Sequence, residues 1–183
     1  MKKIYILNGV GISGKGEFAS RLNKYIPSYK YSIVDLVKEA GKLLGWDGAK
    51  TEKDSKFLSD LVDLATEYND MPFRDVLSIV TDFKNNLIQT PVLIIDMRDP
   101  KDIARAVETF GAQTILIRNP NVEQIESNHA DANVENYEYD YIVENDGTLE
   151  QLEKVAKMFC CDIICGDYIP ETHKPLTITC SNY

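Results

Sequence analysis

Short apolar runs alternate along this chain with longer stretches whose apolar residues recur every three or four positions. Lys3–Leu7, Val92–Ile95, Thr114–Ile117 and Tyr139–Val143 read as buried strands, with a weaker strand around Tyr29–Ser32. Between them the spacing predicts helices over Lys15–Tyr25, Ile33–Leu44, Ser55–Tyr68, Pro72–Ile88, Pro100–Phe110 and Thr148–Phe159. The third shows an apolar face of Phe57, Leu58, Leu61, Val62, Leu64 and Ala65. The fourth opens on Pro72, which suits a first helical turn. Near-continuous apolar strands alternating with helices predict an α/β fold, a parallel sheet covered on both faces. Gly45–Asp54 is a polar connection that begins an insertion between the second and third strands. After Cys161, the β-prone run Leu176–Thr179 either adds an edge strand or covers one face.

The length of 183 residues predicts one domain with at most a short appendage. No apolar run approaches the roughly 20 residues needed to cross a bilayer. Met1-Lys2-Lys3 leads straight into the first strand without a secretory-signal pattern, so the expectation is a cytoplasmic protein. The 20 basic and 29 acidic residues leave a net charge of −9, which disfavours nonspecific binding to nucleic acid or anionic membrane. An anionic ligand must then be met by local cations. Cys160, Cys161, Cys165 and Cys180 contain no Cys-x-x-Cys pair, and His173 is poorly placed to complete a zinc site, so they read as buried free thiols.

The strongest motif is Gly9-Val10-Gly11-Ile12-Ser13-Gly14-Lys15-Gly16, which follows a strand and opens a helix. Glycines let backbone N–H groups converge on phosphate oxygens, the helix N-terminus favours the anion, and the lysine reaches the terminal phosphates. That pattern predicts a nucleotide site over Gly9, Gly11, Ser13, Gly14, Lys15, Gly16 and Glu17. Gly16 and Glu17 stand where many such loops place Ser or Thr, so no hydroxyl there meets Mg²⁺ directly. Further along, Asp96-Met97-Arg98 closes the strand at Val92. A carboxylate at the carboxyl end of a strand beside the loop strand is the expected organiser of Mg²⁺. The alternative for Asp96 is a helix cap, and for Arg98 a solvated charge.

These pieces together resemble the P-loop nucleoside monophosphate kinase superfamily, and look most like phage-type deoxynucleoside monophosphate kinases and phosphomevalonate kinases. Beyond the loop, three blocks carry the resemblance: Ser32-Ile33-Val34-Asp35-Leu36-Val37-Lys38-Glu39, Asp96-Met97-Arg98 with Asp102, Phe110 and Gly111, and Ile115-Leu116-Ile117-Arg118. The resemblance implies a three-layer α/β/α fold with a five-stranded parallel sheet over residues 1–160. It also implies an acceptor-binding insertion at about 33–88, a short lid at about 119–137, and a tail at 161–183. The implied activity is transfer of the γ-phosphate of ATP, with Mg²⁺, to a phosphorylated acceptor.

Under that resemblance Lys15, Arg98 and Arg118 are the catalytic cations. Ser32, Asp35, Lys38, Arg74 and Arg98 face the acceptor, and Asn145 lies near the adenine. Other readings stand beside these: Lys38 as a helix surface charge, Asn145-Asp146-Gly147 as a plain turn with Thr148 as helix cap, and His129 as a solvated loop residue. Arg21 and Arg105 are expected on outer helix faces, and Trp46 and Tyr68 either stack on a base or anchor helix ends. Between Asn119 and Gly147 there is no Lys or Arg, so the lid region is acidic.

Overall fold

The apolar run after Lys3 forms strand β1 (Lys3–Asn8), around which a six-stranded sheet is assembled. The computed structural model describes residues 2–49, 51–122, 133–166 and 175–183. After β1 come α1 (Lys15–Asn23), β2 (Ser28–Ser32), α2 (Asp35–Leu43), α3 (Glu52–Asn69), α4 (Met71–Lys84), β3 (Val92–Asp96), α5 (Pro100–Phe110), β4 (Gln113–Arg118), β5 (Tyr141–Glu144), α6 (Leu149–Met158) and β6 (Leu176–Thr179). The sheet order is β2-β3-β1-β4-β5-β6, and β1 pairs with β3 and β4, β4 with β5, and β5 with β6, each in parallel. The chain divides into two units, Met1–Lys30 with Gln89–Tyr183, and Tyr31–Ile88.

The strands of the first unit are apolar on both sides because both sides are covered. Tyr5, Leu7, Ile94, Ile115, Ile117, Tyr141 and Val143 enter one core with Phe18 and Leu22 of α1 and Leu152 and Val155 of α6. Ile4, Ile6, Leu93, Ile95 and Leu116 occupy the alternate positions, and α5, which buries Ile103, Ala106 and Phe110, touches β1 and β4. The first core is held by an aromatic cluster. The Phe159 ring lies 5.7 Å from Tyr5, 5.7 Å from Phe18 and 5.2 Å from Tyr141, each edge-on, an arrangement that aromatic quadrupoles favour.

In the second unit α2, α3 and α4 contact one another in all three pairings. Gly41 on α2 brings α3 close, since a Cβ there would lie 3.2 Å from Leu58 Cδ2 and 3.4 Å from Phe57. Trp46 anchors the end of α2 by donating to the Ala49 carbonyl at 3.0 Å, whereas Tyr68 is exposed and anchors nothing.

Several expectations are corrected. The sheet has six strands rather than five, because Leu176–Thr179 pairs in parallel along the edge of β5. Helix α3 starts at Glu52, inside the stretch expected to be a connection, because Thr51 and Asp54 form a reciprocal capping box. Helix α4 ends at Lys84 rather than at Ile88, where Asn86 turns left-handed (φ 62°) and Leu87 N–H closes back on the Asp82 carbonyl. Strand β5 starts at Tyr141, because the Asp140 carboxylate accepts from the Thr114 N–H at 2.7 Å and takes the place of a ladder bond.

Cys161 and Cys165 are exposed, and only Cys160 and Cys180 are buried, each thiol pushed up to about 11 by burial. A π-helical turn over Phe159–Ile164 continues α6; it carries buried Cys160 and exposed Cys161, and Cys165 follows it. Among the described residues no helix is long and apolar enough to cross a membrane.

Phe159 is fully buried at the centre of the aromatic cluster. Phe159→Ala is expected to cost about 3–5 kcal/mol of unfolding free energy, read from the urea midpoint at unchanged m-value. A loss below 1 kcal/mol would remove the cluster from its place in the core.

Candidate functional site

The connections leaving β1 and β4 run to opposite sides of the sheet, so a crevice opens at the carboxyl ends of these adjacent strands. The loop Gly9–Gly16 lies there, between β1 and α1. Its curvature requires left-handed backbone at Gly9 (φ 149°), Ile12 (φ 65°) and Gly14 (φ 100°). Gly9 and Gly14 also have no room for a side chain. A Cβ on Gly9 would lie 2.4 Å from the Ile117 carbonyl oxygen, and one on Gly14 2.4 Å from Asn145 Nδ2. Gly16 faces open space, so neither crowding nor a left-handed backbone accounts for glycine there.

Lys15 opens α1, and its Nζ donates to the Gly9 carbonyl and, at 2.8 Å, to the Val10 carbonyl. Its ammonium is thereby held to the loop itself. Ser13 is buried, and its Oγ has no hydrogen-bond partner among the described residues. Together, the first-turn N–H groups of α1, the helix dipole and Lys15 can take an oxyanion such as phosphate. Glu17 is directed elsewhere: it pairs with Arg21 at 2.8 Å, and Arg21 also reaches Glu153 of α6. Arg21 is therefore not on an outer face as expected. Its side chain is 11% exposed because α1 packs against α6 there.

The loop is fixed from two sides. Asn145 donates from Nδ2 to the Ser13 carbonyl at 2.9 Å, and its backbone N–H donates to the Arg118 carbonyl at 2.7 Å. Thr148 does cap α6, through a capping box with Gln151. The other support was not legible as a motif. Asn8, fully buried at the end of β1, accepts the Gly9 N–H on Oδ1 at 2.7 Å and donates from Nδ2 to the Arg98 carbonyl and the Tyr139 hydroxyl. The Tyr139 hydroxyl in turn donates to the Val134 carbonyl at 2.7 Å. Burial, which disfavours the phenolate, holds the Tyr139 pKa well above the ordinary tyrosine value. One side chain thus joins the loop, the turn that carries Arg98, and the segment before β5.

Asp96 ends β3 beside Leu7. Its Oδ2 pairs with Lys30 at 2.8 Å, a partner that sequence reasoning passed over because Lys30 lies in a weak strand 66 positions away. Its Oδ1 is buried and has no hydrogen-bond partner among the described residues. An unclaimed carboxylate oxygen at a strand end fits a hydrated Mg²⁺, whose water ligands donate hydrogen bonds. The helix cap is Asp99, which accepts from the Lys101 N–H at 2.7 Å, not Asp96. Arg98 is half-buried in the turn between them.

Arg118 is engaged by two carboxylates. Nε donates to Glu135 at 2.9 Å and Nη2 to the other oxygen of the same carboxylate, while Nη1 donates to Glu144 at 2.7 Å. The Glu135 hydrogen bonds raise its pKa most, burial works against them, and Glu144 adds to the rise. Beside this clamp lies a cavity of about 190 Å³ lined by Val10, Ile117, Arg118, Pro120, Val134 and Glu135 among others.

In the second unit, Asp35 accepts from the Ser32 N–H at 2.9 Å and from Lys38 at 2.8 Å, so these three candidates satisfy one another locally. Arg74 is exposed near the start of α4. His129, and the central part of the lid expected at about 119–137, lie outside the described residues.

The fold is similar to that of TT1252 from Thermus thermophilus, with a TM-score of 0.52 at 14% identity over 88% of this chain and 98% of that one. Shikimate kinase from Aquifex aeolicus aligns with a TM-score of 0.45 at 13% identity over 87% of this chain and 98% of that one. A de novo designed protein of P-loop NTPase fold aligns with a TM-score of 0.43 at 13% identity over 94% and 100%. No family model and no curated protein matches the sequence.

Tyr139→Phe keeps the ring but leaves the Val134 carbonyl without its donor and Asn8 with one acceptor fewer. The expected loss of stability is about 1–3 kcal/mol, measured by chemical denaturation. An unchanged midpoint would show that the junction is not a structural constraint.

Proposed function

We propose that this chain is an ATP-dependent phosphotransferase that moves the γ-phosphate to a phosphorylated small molecule, a nucleoside or deoxynucleoside monophosphate first among the acceptors. What carries the proposal is the Gly9–Gly16 loop with its two sterically obligatory glycines and Lys15, set beside an aspartate that keeps one oxygen unclaimed. The similarity of three further blocks to nucleoside monophosphate kinases supports the choice of acceptor.

In this mechanism the loop amides and Lys15 hold the β- and γ-phosphates and fix the reacting phosphorus. Lys15 leaves the Gly9 and Val10 carbonyls for phosphate oxygens, exchanging two neutral acceptors for anionic ones. Asp96 would hold hydrated Mg²⁺ through Oδ1, with Lys30 keeping Oδ2 in place. The ion supplies charge neutralisation between the phosphates. Arg98 and Arg118 stabilise charge that develops on the transferring group. No side-chain base is required, because an acceptor phosphate already presents an ionised oxygen near neutral pH. Ser32, Asp35, Lys38 and Arg74 are assigned to the acceptor, and Asn145 positions the loop from the nucleotide side.

The test is ADP release with ATP and Mg²⁺ against ribo- and deoxyribonucleoside monophosphates and phosphomevalonate. Turnover on one acceptor is expected, and Lys15→Ala is expected to lower kcat/KM by about 10²–10³-fold while the fold persists. Release with phosphomevalonate alone would reassign the acceptor. ATP binding with no release on any acceptor would leave a nucleotide-binding protein without turnover.

A further inference from the structure

Arg118 and Glu135 meet as a two-point pair of partly exposed side chains. Glu135 takes the whole Nε–Nη2 edge of the guanidinium with both carboxylate oxygens, while Glu144 holds the remaining nitrogen. That edge is the fork with which arginine receives two oxygens of a phosphoryl group. Glu144 is the more buried of the two carboxylates, 20% exposed against 36% for Glu135. Glu144 is therefore placed to anchor Arg118, and Glu135 occupies a position that it can vacate by turning its side chain to solvent.

Three further observations bear on what that fork can hold. The pair borders the cavity that also contains Val10 of the loop and the apolar walls Ile117, Pro120 and Val134, and a poorly hydrated wall strengthens ionic contacts. The backbone next to Glu135 is fixed, because Val134 is buried and its carbonyl is held by Tyr139. Finally, no Lys or Arg occurs from 119 to 147, so Arg118 is the sole cation that this stretch and the end of β4 offer.

Resting on the phosphotransferase assignment above, we infer that Glu135 is an internal stand-in for a substrate phosphoryl group: its carboxylate fills the Arg118 fork until a phosphate dianion displaces it. Glu135 thereby sets specificity by charge. A neutral or singly charged group gains too little from Arg118 to displace a carboxylate, and a phosphoryl group gains enough. When it leaves, Glu135 enters water and Arg118 keeps its place through Glu144. The phosphoryl group is either the γ-phosphate of ATP or that of the acceptor, and the fork chemistry is the same for both.

The experiment measures ATP and ADP affinities, and inorganic phosphate affinity in the presence of a saturating non-hydrolysable ATP analogue, by calorimetry on the full chain. Glu135→Gln keeps the side chain's size at a partly exposed site and removes its charge. Tightening of about tenfold is expected in one arm. Tightening for ATP but not for ADP would identify the γ-phosphate, and tightening for inorganic phosphate on protein whose γ-phosphate position is already filled by the ATP analogue would identify the acceptor's. Adding Arg118→Ala should abolish the gain, which a merely structural role of Glu135 would not produce. Wild-type binding of ATP with no gain in any arm for Glu135→Gln, or a gain that survives Arg118→Ala, overturns the inference and leaves the phosphotransferase assignment standing. Failure of the wild-type protein to bind either nucleotide overturns both.

Discussion

A single buried amide, that of Asn8, sets the geometry on which the site depends. A strand that ends in a buried polar side chain must satisfy it, because an unpaired amide away from water costs more than a hydrogen bond returns. Asn8 is satisfied by the Gly9 N–H, the Arg98 carbonyl and the Tyr139 hydroxyl, which lie 1, 90 and 131 positions away along the chain. The start of the Gly9–Gly16 loop, the turn after β3 and the segment that carries Glu135 are thereby referenced to one point. The opposite end of the loop is fixed by Asn145, so its glycines are held between Ile117 on one side and an amide on the other.

This local precision rests on the sheet beneath it. β1 is paired on both sides, and its side chains enter cores on both faces, one built on Phe18, Phe159 and Tyr141 and the other facing α5. A strand so enclosed has little freedom to shift, and the loop that leaves it inherits that rigidity. Backbone donors held in this way are already oriented before any ligand arrives. The polar residues of the site are spread over the carboxyl ends of β1, β3 and β4, where a parallel sheet directs its loops.

Features that depend on local spacing were legible in the sequence. The strands at Lys3, Val92 and Thr114 and all six helices of the described residues showed in the apolar pattern, and the loop showed in its glycines. Features that depend on distant partners were not. Asn8 and Tyr139 carry no motif, and their roles exist only because the fold brings them to 2.7 Å. Lys30 sat in a weak β pattern with no sign that it would meet Asp96. Arg21 looked like a surface charge until α6 packed over it, and Arg118 gave no hint of two carboxylates. The sixth strand was left open because a four-residue run with an exposed side reads equally as an edge or as a cover. The π-helical turn after α6 has no pattern of its own.

The claim on which all else rests is that the Gly9–Gly16 loop receives the phosphates of a nucleotide. The most direct measurement is a titration of ¹⁵N-labelled protein with Mg²⁺·ATP, followed by amide NMR. The account predicts that the largest shifts fall on the Gly9–Gly16 amides and on the Asn145 side-chain amide. Shifts confined to residues 31–88, or none at saturating nucleotide, would contradict it.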